Sequence, residues 1–286
     1  MSSTQDQVDL AESSPRDDHS VEITPDIHEV EPMGAADAHQ DAHLKDQRAP
    51  RVGVVLIPTY NERDNLERVI TEVRTHLPAG DILIIDDQSP DGTGALADKI
   101  AEQDSHVHVL HRVKKEGLGR AYLAGFRWAL DRDYPYIFEM DADLSHPAEA
   151  LPRMIEAAER GAALVLGSRW VKGGGVSGWP LKRKVLSRGG SLYARLILGA
   201  PVRDLTGGFK CFRRETLLAI DLDQVQTVGY GFQIELTWRV LRRGLKVVEV
   251  PIIFTDRVAG QSKMSASIFT EALLLVWKLR FSRRIE

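Results

Sequence analysis

The feature that most constrains the fold is an alternation of short apolar runs with amphipathic segments, which extends from residue 51 to residue 140. The runs Val54-Val55-Leu56-Ile57 and Ile82-Leu83-Ile84-Ile85 are typical of strands buried on both faces of a sheet. Between them, apolar residues recur from Leu66 to Val73 at the spacing of a helix. The alternation predicts a doubly wound, mostly parallel α/β sheet covered by helices.

Composition divides the chain into three regions. Residues 1–48 are rich in acidic and polar residues, which predicts a disordered acidic tail, with a partner-docking arm as the alternative. Residues 49–264 are predicted to form the α/β domain, and residues 265–286 a C-terminal amphipathic helix. That helix mixes Leu and Trp with Lys and Arg, so both a membrane-interface position and a core-packing position are open.

Charge and cysteine content exclude several classes of protein. A net charge of −4 gives no global field that would favour nucleic acid as a partner. Cys211 is the only cysteine, which excludes an intramolecular disulfide framework and a thiolate zinc site. The sequence has no signal-peptide pattern and no apolar run of about 18 to 20 residues, so we expect a soluble or peripheral protein.

Acidic residues follow two of the predicted strands. Asp141-Ala142-Asp143 comes directly after an apolar strand that ends at Met140, and Asp86-Asp87 ends the second strand. In a parallel α/β sheet, the carboxyl ends of the strands form the ligand crevice. Two adjacent carboxylates repel each other, and a hard cation such as Mg²⁺ or Mn²⁺ relieves the repulsion while it binds a diphosphate. The simpler alternative is that Asp141 and Asp143 only cap the helix after Pro147.

Other nucleotide-binding signatures are absent from the sequence. No G-x-G-x-x-G follows the first strand and no G-x-x-x-x-G-K-[ST] occurs, which argues against a dinucleotide oxidoreductase and a P-loop NTPase.

The order of the motifs resembles glycosyltransferase family 2, whose members have the Rossmann-like GT-A fold, and within it the polyprenol-phosphate (dolichol-phosphate) mannose synthases. The resemblance extends from about Val52 to Lys263. It rests on three strand-end motifs, which are Pro58-Thr59-Tyr60-Asn61-Glu62, the segment from Asp86 to Thr93 and the segment from Asp141 to Pro147. It continues through Gly119-Arg120-Ala121-Tyr122, Gly167-Ser168-Arg169-Trp170, the segment from Trp179 to Lys184, Ser187-Arg188-Gly189, the segment from Asp204 to Phe209 and the segment from Asp256 to Lys263.

The resemblance implies an inverting, metal-dependent transfer of mannose from GDP-mannose to a polyprenyl phosphate. It assigns the guanosine part to Pro58, Tyr60, Glu62, Ile85 and Asp87. It assigns metal and diphosphate to Asp141 and Asp143, with Ala142 and Ser145 close by; some members have a glutamine at the position of Ser145. It implies that Arg169, Arg257 and Lys263 are cations around the diphosphate and acceptor, so that Asp143, Arg257 and Lys263 are the expected catalytic residues.

A basic segment precedes the predicted helix that ends near Leu198. Lys182-Arg183-Lys184 and Arg188, beside Trp179, form either a solvated face or a site for the acceptor phosphate and anionic lipid headgroups. The second interpretation makes Arg183 a substrate-binding residue of an enzyme at the cytoplasmic, inner face of a membrane. An integral-membrane partner protein is an open alternative for attachment. Two alternative functions also remain: a glucosyltransferase that uses UDP-glucose, and a catalytically silent lipid-binding subunit.

Overall fold

The computed structural model describes residues 52–225, 227, 229, 231–256 and 266–281, with side chains of the last helix described from residue 273. The acidic tail predicted over residues 1–48 lies outside the described residues, as do Arg257 and Lys263.

The first half of the domain alternates strands and helices as the sequence predicts. The strands are β1 (Val54–Thr59), β2 (Asp81–Asp86), β3 (Val107–His111) and β4 (Tyr136–Glu139). The helices are α1 (Arg63–His76), α2 (Thr93–Gln103) and α3 (Leu118–Leu130). All four strands are parallel, in the order β3-β2-β1-β4, so their carboxyl ends lie at one edge of the sheet.

The second half extends this sheet and adds a small second one. The elements are α4 (Leu151–Glu159), β5 (Leu164–Ser168), β6 (Gly175–Ser177), α5 (Leu181–Leu198), β7 (Lys210–Arg213), α6 (Arg214–Ala219), α7 (Gly231–Arg242), β8 (Val247–Pro251), β9 (Ile253–Thr255) and α8 (Ala266–Phe281). Two single-turn 3₁₀ helices cover Ala148–Ala150 and Leu222–Gln224. The main sheet continues from β4 through β7 and β5 to β8, and β7 is antiparallel to both of its neighbours.

Apolar residues of the central strands alternate between the two faces of the sheet. Val54 and Leu56 belong to the core cluster on one face, and Val55 and Ile57 belong to the cluster on the other. Both clusters are covered by helices, which explains why β1 is apolar at successive positions. The predicted doubly wound, mostly parallel fold is therefore confirmed.

The glycine-rich segment before α5 differs from its prediction. The sequence predicts a mobile loop over residues 173–178, but Gly175–Ser177 forms β6, which pairs in parallel with β9. The pairing of Gly175 with Ile253 joins segments far apart in the chain, which local glycine content does not indicate.

The C-terminal helix α8 packs against α5 and α7. Val276 and Leu279 are buried, and the indole N–H of Trp238 donates to the carbonyl of Leu279 over 3.3 Å. Leu274, Trp277 and Phe281 are exposed. One face of α8 therefore belongs to the core, and another presents apolar side chains to solvent. Within the described part of the chain, no helix is both long enough and apolar enough to span a bilayer.

Candidate active site

The two adjacent aspartates at the end of β2 have different environments. Asp86 accepts hydrogen bonds from the Thr59 hydroxyl (3.1 Å), the Ser89 hydroxyl (2.6 Å) and the Ser89 backbone N–H (3.1 Å). These bonds join the ends of β1 and β2 and hold the turn that follows. Asp87 is buried beside this turn and pairs with the guanidinium of Arg112. Burial raises the pKa of Asp87, and the positive charge of Arg112 opposes that rise.

The loop after β3 brings two cations to the predicted nucleoside residues. Besides Arg112 on Asp87, the ammonium of Lys115 lies 3.5 Å from the centroid of the Tyr60 ring. Neither cation was predicted from the sequence, because Arg112 and Lys115 lie in a charged loop that resembles any solvated turn. Their signal is their position immediately after β3, at the same sheet edge as Asp87.

The other residues predicted to contact the nucleoside lie at the same end of β1 and β2. Pro58 and Ile85 are opposite each other in the β1–β2 ladder. The backbone N–H of Glu62 donates to the Thr93 hydroxyl (3.1 Å), and the Glu62 carboxylate accepts from the Asn65 amide (2.9 Å). The structure thus brings Pro58, Tyr60, Glu62, Ile85 and Asp87 to one end of β1 and β2.

The Asp141-Ala142-Asp143 segment follows β4 at the same sheet edge. Asp143 is 5% exposed and accepts the Ser145 N–H over 3.1 Å, whereas the Asp141 side chain is 32% exposed. The Asp141 N–H donates to His146 Nδ1 over 3.0 Å, which anchors its backbone. Leu144 has a φ of 62°, a left-handed conformation that is costly for a branched residue and typical of functional turns.

The donor set of this segment fits a divalent cation that is shared with a diphosphate. The Ser145 hydroxyl is buried next to Asp143 and has no hydrogen-bond partner among the described residues. Mg²⁺ and Mn²⁺ are commonly held by one or two carboxylates, with phosphate oxygens and water completing the shell. Among the residues that the structure describes, no three His, Cys, Asp or Glu side chains are grouped as a metal site.

A layer of buried polar groups lies directly beneath this segment. Glu139 is fully buried, and it is opposite Lys210 in the β4–β7 ladder. Burial raises the pKa of Glu139 to about 7 against the opposing charge of Lys210. The Lys210 ammonium donates to the Gln233 carbonyl over 2.7 Å. The antiparallel strand β7, which the sequence analysis did not predict, therefore places a cation under the acidic segment.

Arg169 follows β5 and is held by a carboxylate from another part of the chain. Its Nε and Nη2 atoms donate to the two oxygens of Asp204, each over 2.7 Å, and Nη2 also donates to the Thr206 hydroxyl over 3.0 Å. Both side chains of the ion pair are buried. The positive charge of Arg169 lowers the pKa of Asp204 against the effect of burial, which alone would raise it. The predicted role of Arg169 toward a diphosphate stays a prediction.

An aromatic cluster connects the acidic segment to the basic start of α5. His146 contacts Phe254, and Phe254 contacts Trp179, with ring centroids 5.3 Å apart in each pair. The guanidinium of Arg183 lies 3.9 Å from the Trp179 ring centroid and donates to Asp256 over 2.7 Å. Arg183 is therefore connected to His146, which follows the two aspartates, through the rings of Trp179 and Phe254.

The doubly wound, mostly parallel sheet, with acidic residues at the ends of β2 and β4, has the GT-A fold of glycosyltransferases. The chain belongs to glycosyltransferase family 2: residues 54–220 match the family model described as "Glycosyl transferase family 2".

The chain is similar to two mannosyltransferases of bacteria. It is 50% identical over 233 residues to the undecaprenyl-phosphate mannosyltransferase of Micrococcus luteus, covering 82% of this chain and 96% of that protein. It is 52% identical over 230 residues to the polyprenol monophosphomannose synthase of Mycolicibacterium smegmatis, covering 79% of this chain and 87% of that protein. The resemblance to polyprenol-phosphate mannose synthases is therefore confirmed.

A solved structure with the same fold is glucosyl-3-phosphoglycerate synthase from Mycobacterium tuberculosis. Its complex with Mn²⁺, UDP-glucose and phosphoglyceric acid superposes with a TM-score of 0.60 at 19% identity, covering 84% of this chain and 83% of that one. At this identity the similarity concerns the fold.

Proposed function

We propose that this protein transfers mannose from GDP-mannose to a polyprenyl phosphate. The observation that carries the proposal is the position of Asp141 and Asp143 at the end of β4, at the same sheet edge as Tyr60 and Asp87. The names of the two bacterial relatives support mannose as the sugar and a polyprenyl phosphate as the acceptor.

In this proposal, the donor lies along the carboxyl edge of the sheet. Tyr60 and Asp87 contact the guanosine, and Asp141 and Asp143 hold Mg²⁺ or Mn²⁺ beside the diphosphate. When bound, the cation supplies positive charge that stabilises the leaving diphosphate. Arg257 and Lys263 lie outside the described residues. The family resemblance assigns them the same role of stabilising the charge of the diphosphate.

The phosphate group of the acceptor is itself the nucleophile. An ionised phosphate oxygen needs no general base, so it attacks the anomeric carbon as the bond from that carbon to the GDP oxygen breaks. Attack opposite the leaving group converts an α-linked donor into a β-linked mannosyl phosphate. The residues of this chain align the two substrates and neutralise their charge.

A donor competition tests this proposal. With equal GDP-mannose and UDP-glucose, a short polyprenyl phosphate and Mg²⁺ or Mn²⁺, we expect mannolipid as the main product and none after chelation of the metal. Asp143→Ala should lower kcat at least about 100-fold, because a ligand that stabilises leaving-group charge is lost. The exposed Asp223, which pairs with Arg127, provides the matched control Asp223→Ala.

Each alternative function predicts a different result in the same assay. A glucolipid product would support the UDP-glucose alternative, and no turnover of either donor with metal present would support a silent lipid-binding subunit. Full activity of a correctly folded Asp143→Ala variant would contradict the proposed site itself.

The acceptor phosphate is assigned to the basic start of α5. Arg183 lies over Trp179, at one end of the aromatic cluster that leads to His146 beside the acidic segment. Arg183→Gln should raise the KM for polyprenyl phosphate about 10-fold and leave the KM for GDP-mannose nearly unchanged, which steady-state kinetics with each substrate varied would measure. Asp256→Asn removes the same ion pair but keeps the positive charge of Arg183, so the KM for polyprenyl phosphate should stay close to the parent value. Equal changes in both KM values would contradict the assignment.

Helices α5 and α8 are the proposed membrane-facing elements. They expose Leu181, Val185, Leu192, Leu196, Leu274, Trp277 and Phe281, which together we call the α5–α8 surface. Helix α5 also contains Lys182, Arg183, Lys184, Arg188 and Arg195 and no acidic residue. Exposed apolar side chains with Lys and Arg favour an anionic membrane surface, such as the inner face, over a neutral one. Attachment through an integral-membrane partner protein is the alternative.

A further inference from the structure

His146 lies at the end of the acidic segment, between two aromatic rings. Its side chain is 3% exposed. The imidazole stacks on Phe209 with ring centroids 5.1 Å apart and planes 10° apart, and the ring of Phe254 contacts it in a T-shaped arrangement. Because protein interiors are closely packed, the imidazole cannot turn without displacing these neighbours. Its two nitrogen atoms therefore have fixed positions.

The Nδ1 atom of His146 accepts a backbone hydrogen bond just beyond the end of β4. The N–H of Met140 still bonds to β1, since it donates to the carbonyl of Leu56 over 3.1 Å. The next N–H along the chain, that of Asp141, donates to His146 Nδ1 over 3.0 Å. His146 thus supplies the acceptor that a neighbouring strand supplies one residue earlier, and it fixes the backbone from which the Asp141 carboxylate extends.

The other ring nitrogen of His146 lies toward the carboxylate of the same aspartate. A backbone N–H can only donate, so Nδ1 is the acceptor and the hydrogen of the neutral imidazole is on Nε2. Nε2 lies 3.9 Å from Oδ2 of Asp141, which is within ion-pair range and longer than a hydrogen bond. One fixed ring therefore contacts both the backbone and the side chain of a proposed metal ligand.

We infer that His146 is a positioning residue, whose Nδ1 acceptor sets the Asp141 carboxylate in the direction that lets Asp141 and Asp143 share one divalent cation. The inference rests on the proposed function only in requiring that these two aspartates hold the cation. Asp143 is set in the corresponding way by the Ser145 N–H, which donates to its carboxylate. The simpler alternative is that His146 serves only as a ring that fills space between Phe209 and Phe254.

Two substitutions separate the acceptor from the ring. His146→Phe keeps an aromatic ring between Phe209 and Phe254 but has no acceptor. His146→Asn loses the ring but can place its amide oxygen close to the position of Nδ1. If His146 positions Asp141, metal affinity follows the acceptor. If His146 only packs, metal affinity follows the ring.

The measurement is the affinity of the full-length protein for Mn²⁺ in the presence of GDP, followed by electron paramagnetic resonance. His146→Phe should raise the Mn²⁺ dissociation constant about 10-fold, and His146→Asn should stay within about 3-fold of the parent. The midpoint of urea unfolding of His146→Asn should nevertheless fall below that of the parent, because loss of a buried ring leaves a cavity. Metal affinity and stability would then change independently, which a purely structural role does not allow.

His106→Phe is the matched control. The Nδ1 atom of His106 also bonds to an aspartate, at 2.7 Å from Oδ1 of Asp81, but this pair lies at the opposite edge of the sheet. Its loss should lower the urea midpoint and leave the affinity for Mn²⁺ unchanged.

The outcomes separate the inference from the proposed function. Parent-like Mn²⁺ affinity in His146→Phe, or an equal loss of affinity in His146→Phe and His146→Asn, overturns the inference alone. Should His146→Phe fail to fold, His146→Asn decides: affinity within about 3-fold of the parent supports the inference, and a larger loss overturns it. A parent that binds Mn²⁺ but transfers no mannose overturns the proposed function and leaves the His146 comparison decisive. A parent that binds no Mn²⁺ overturns both.

Discussion

Neighbouring residues at the carboxyl edge of the sheet have different roles: some stabilise the turn after a strand, and others belong to the candidate site. Asp86 is occupied by Thr59 and Ser89, whereas its neighbour Asp87 pairs with Arg112. Because successive side chains of a strand point to opposite faces, two adjacent aspartates meet different surroundings. The sequence predicted Asp87 as a site residue through the family resemblance, but its partner Arg112 required the structure.

Asp81, at the opposite edge of the sheet, gives a prediction for the pH dependence of stability. Burial raises its pKa, but hydrogen bonds from His108, Tyr134 and His106 outweigh burial and lower it from 3.8 to about 2. A lowered pKa contributes stability above the unfolded pKa and loses it as the pH falls through the folded pKa. Asp81→Asn should therefore lower the free energy of unfolding at pH 7 by about 1–2 kcal/mol.

Urea unfolding of the parent and of Asp81→Asn at a series of pH values measures this contribution. The difference between the two proteins should be constant above about pH 5 and should shrink as the pH falls from there toward 2. A difference that does not change with pH would mean that Asp81 stabilises the fold through packing rather than through its charge.

At the scale of elements, α5 and α8 serve both the core and the outer surface. Ala194 and Leu198 of α5 are buried, while Leu181 and Leu196 of the same helix are exposed. In α8, Val276 is buried and Trp277 is exposed. Deleting α8 would therefore uncover the core as well as remove apolar surface, so point substitutions separate the two effects.

We expect substitutions on the α5–α8 surface to weaken membrane binding. Leu196→Ser and Trp277→Ser should each reduce partitioning into vesicles of anionic phospholipid about 5- to 10-fold, since each removes apolar area that would enter the interface. Co-sedimentation with vesicles measures this, and higher salt should weaken binding further. Leu218→Ser, on the exposed face of α6, is the control that should bind like the parent. Equal binding by all three variants would favour attachment through a partner protein.

At the scale of the whole molecule, the site depends on segments that are far apart in the chain. Strand β7 inserts antiparallel between β4 and β5 and brings Lys210 under Glu139. The paired β6 and β9 bring Asp256 to Arg183, 73 positions away. Pairing between strands that are distant in the chain leaves no periodic signal in the sequence, and for that reason neither β7 nor β6 was predicted.

The sequence by itself determined the alternation of strands and helices and the presence of acidic residues at the ends of two strands. Those features are local, because apolar periodicity and the residues that end a strand involve positions close together in the chain. Only the tertiary structure decided that Arg169 is held by Asp204 and that Arg112 is paired with Asp87. These relations depend on burial and on contacts between distant segments, which no window of sequence contains.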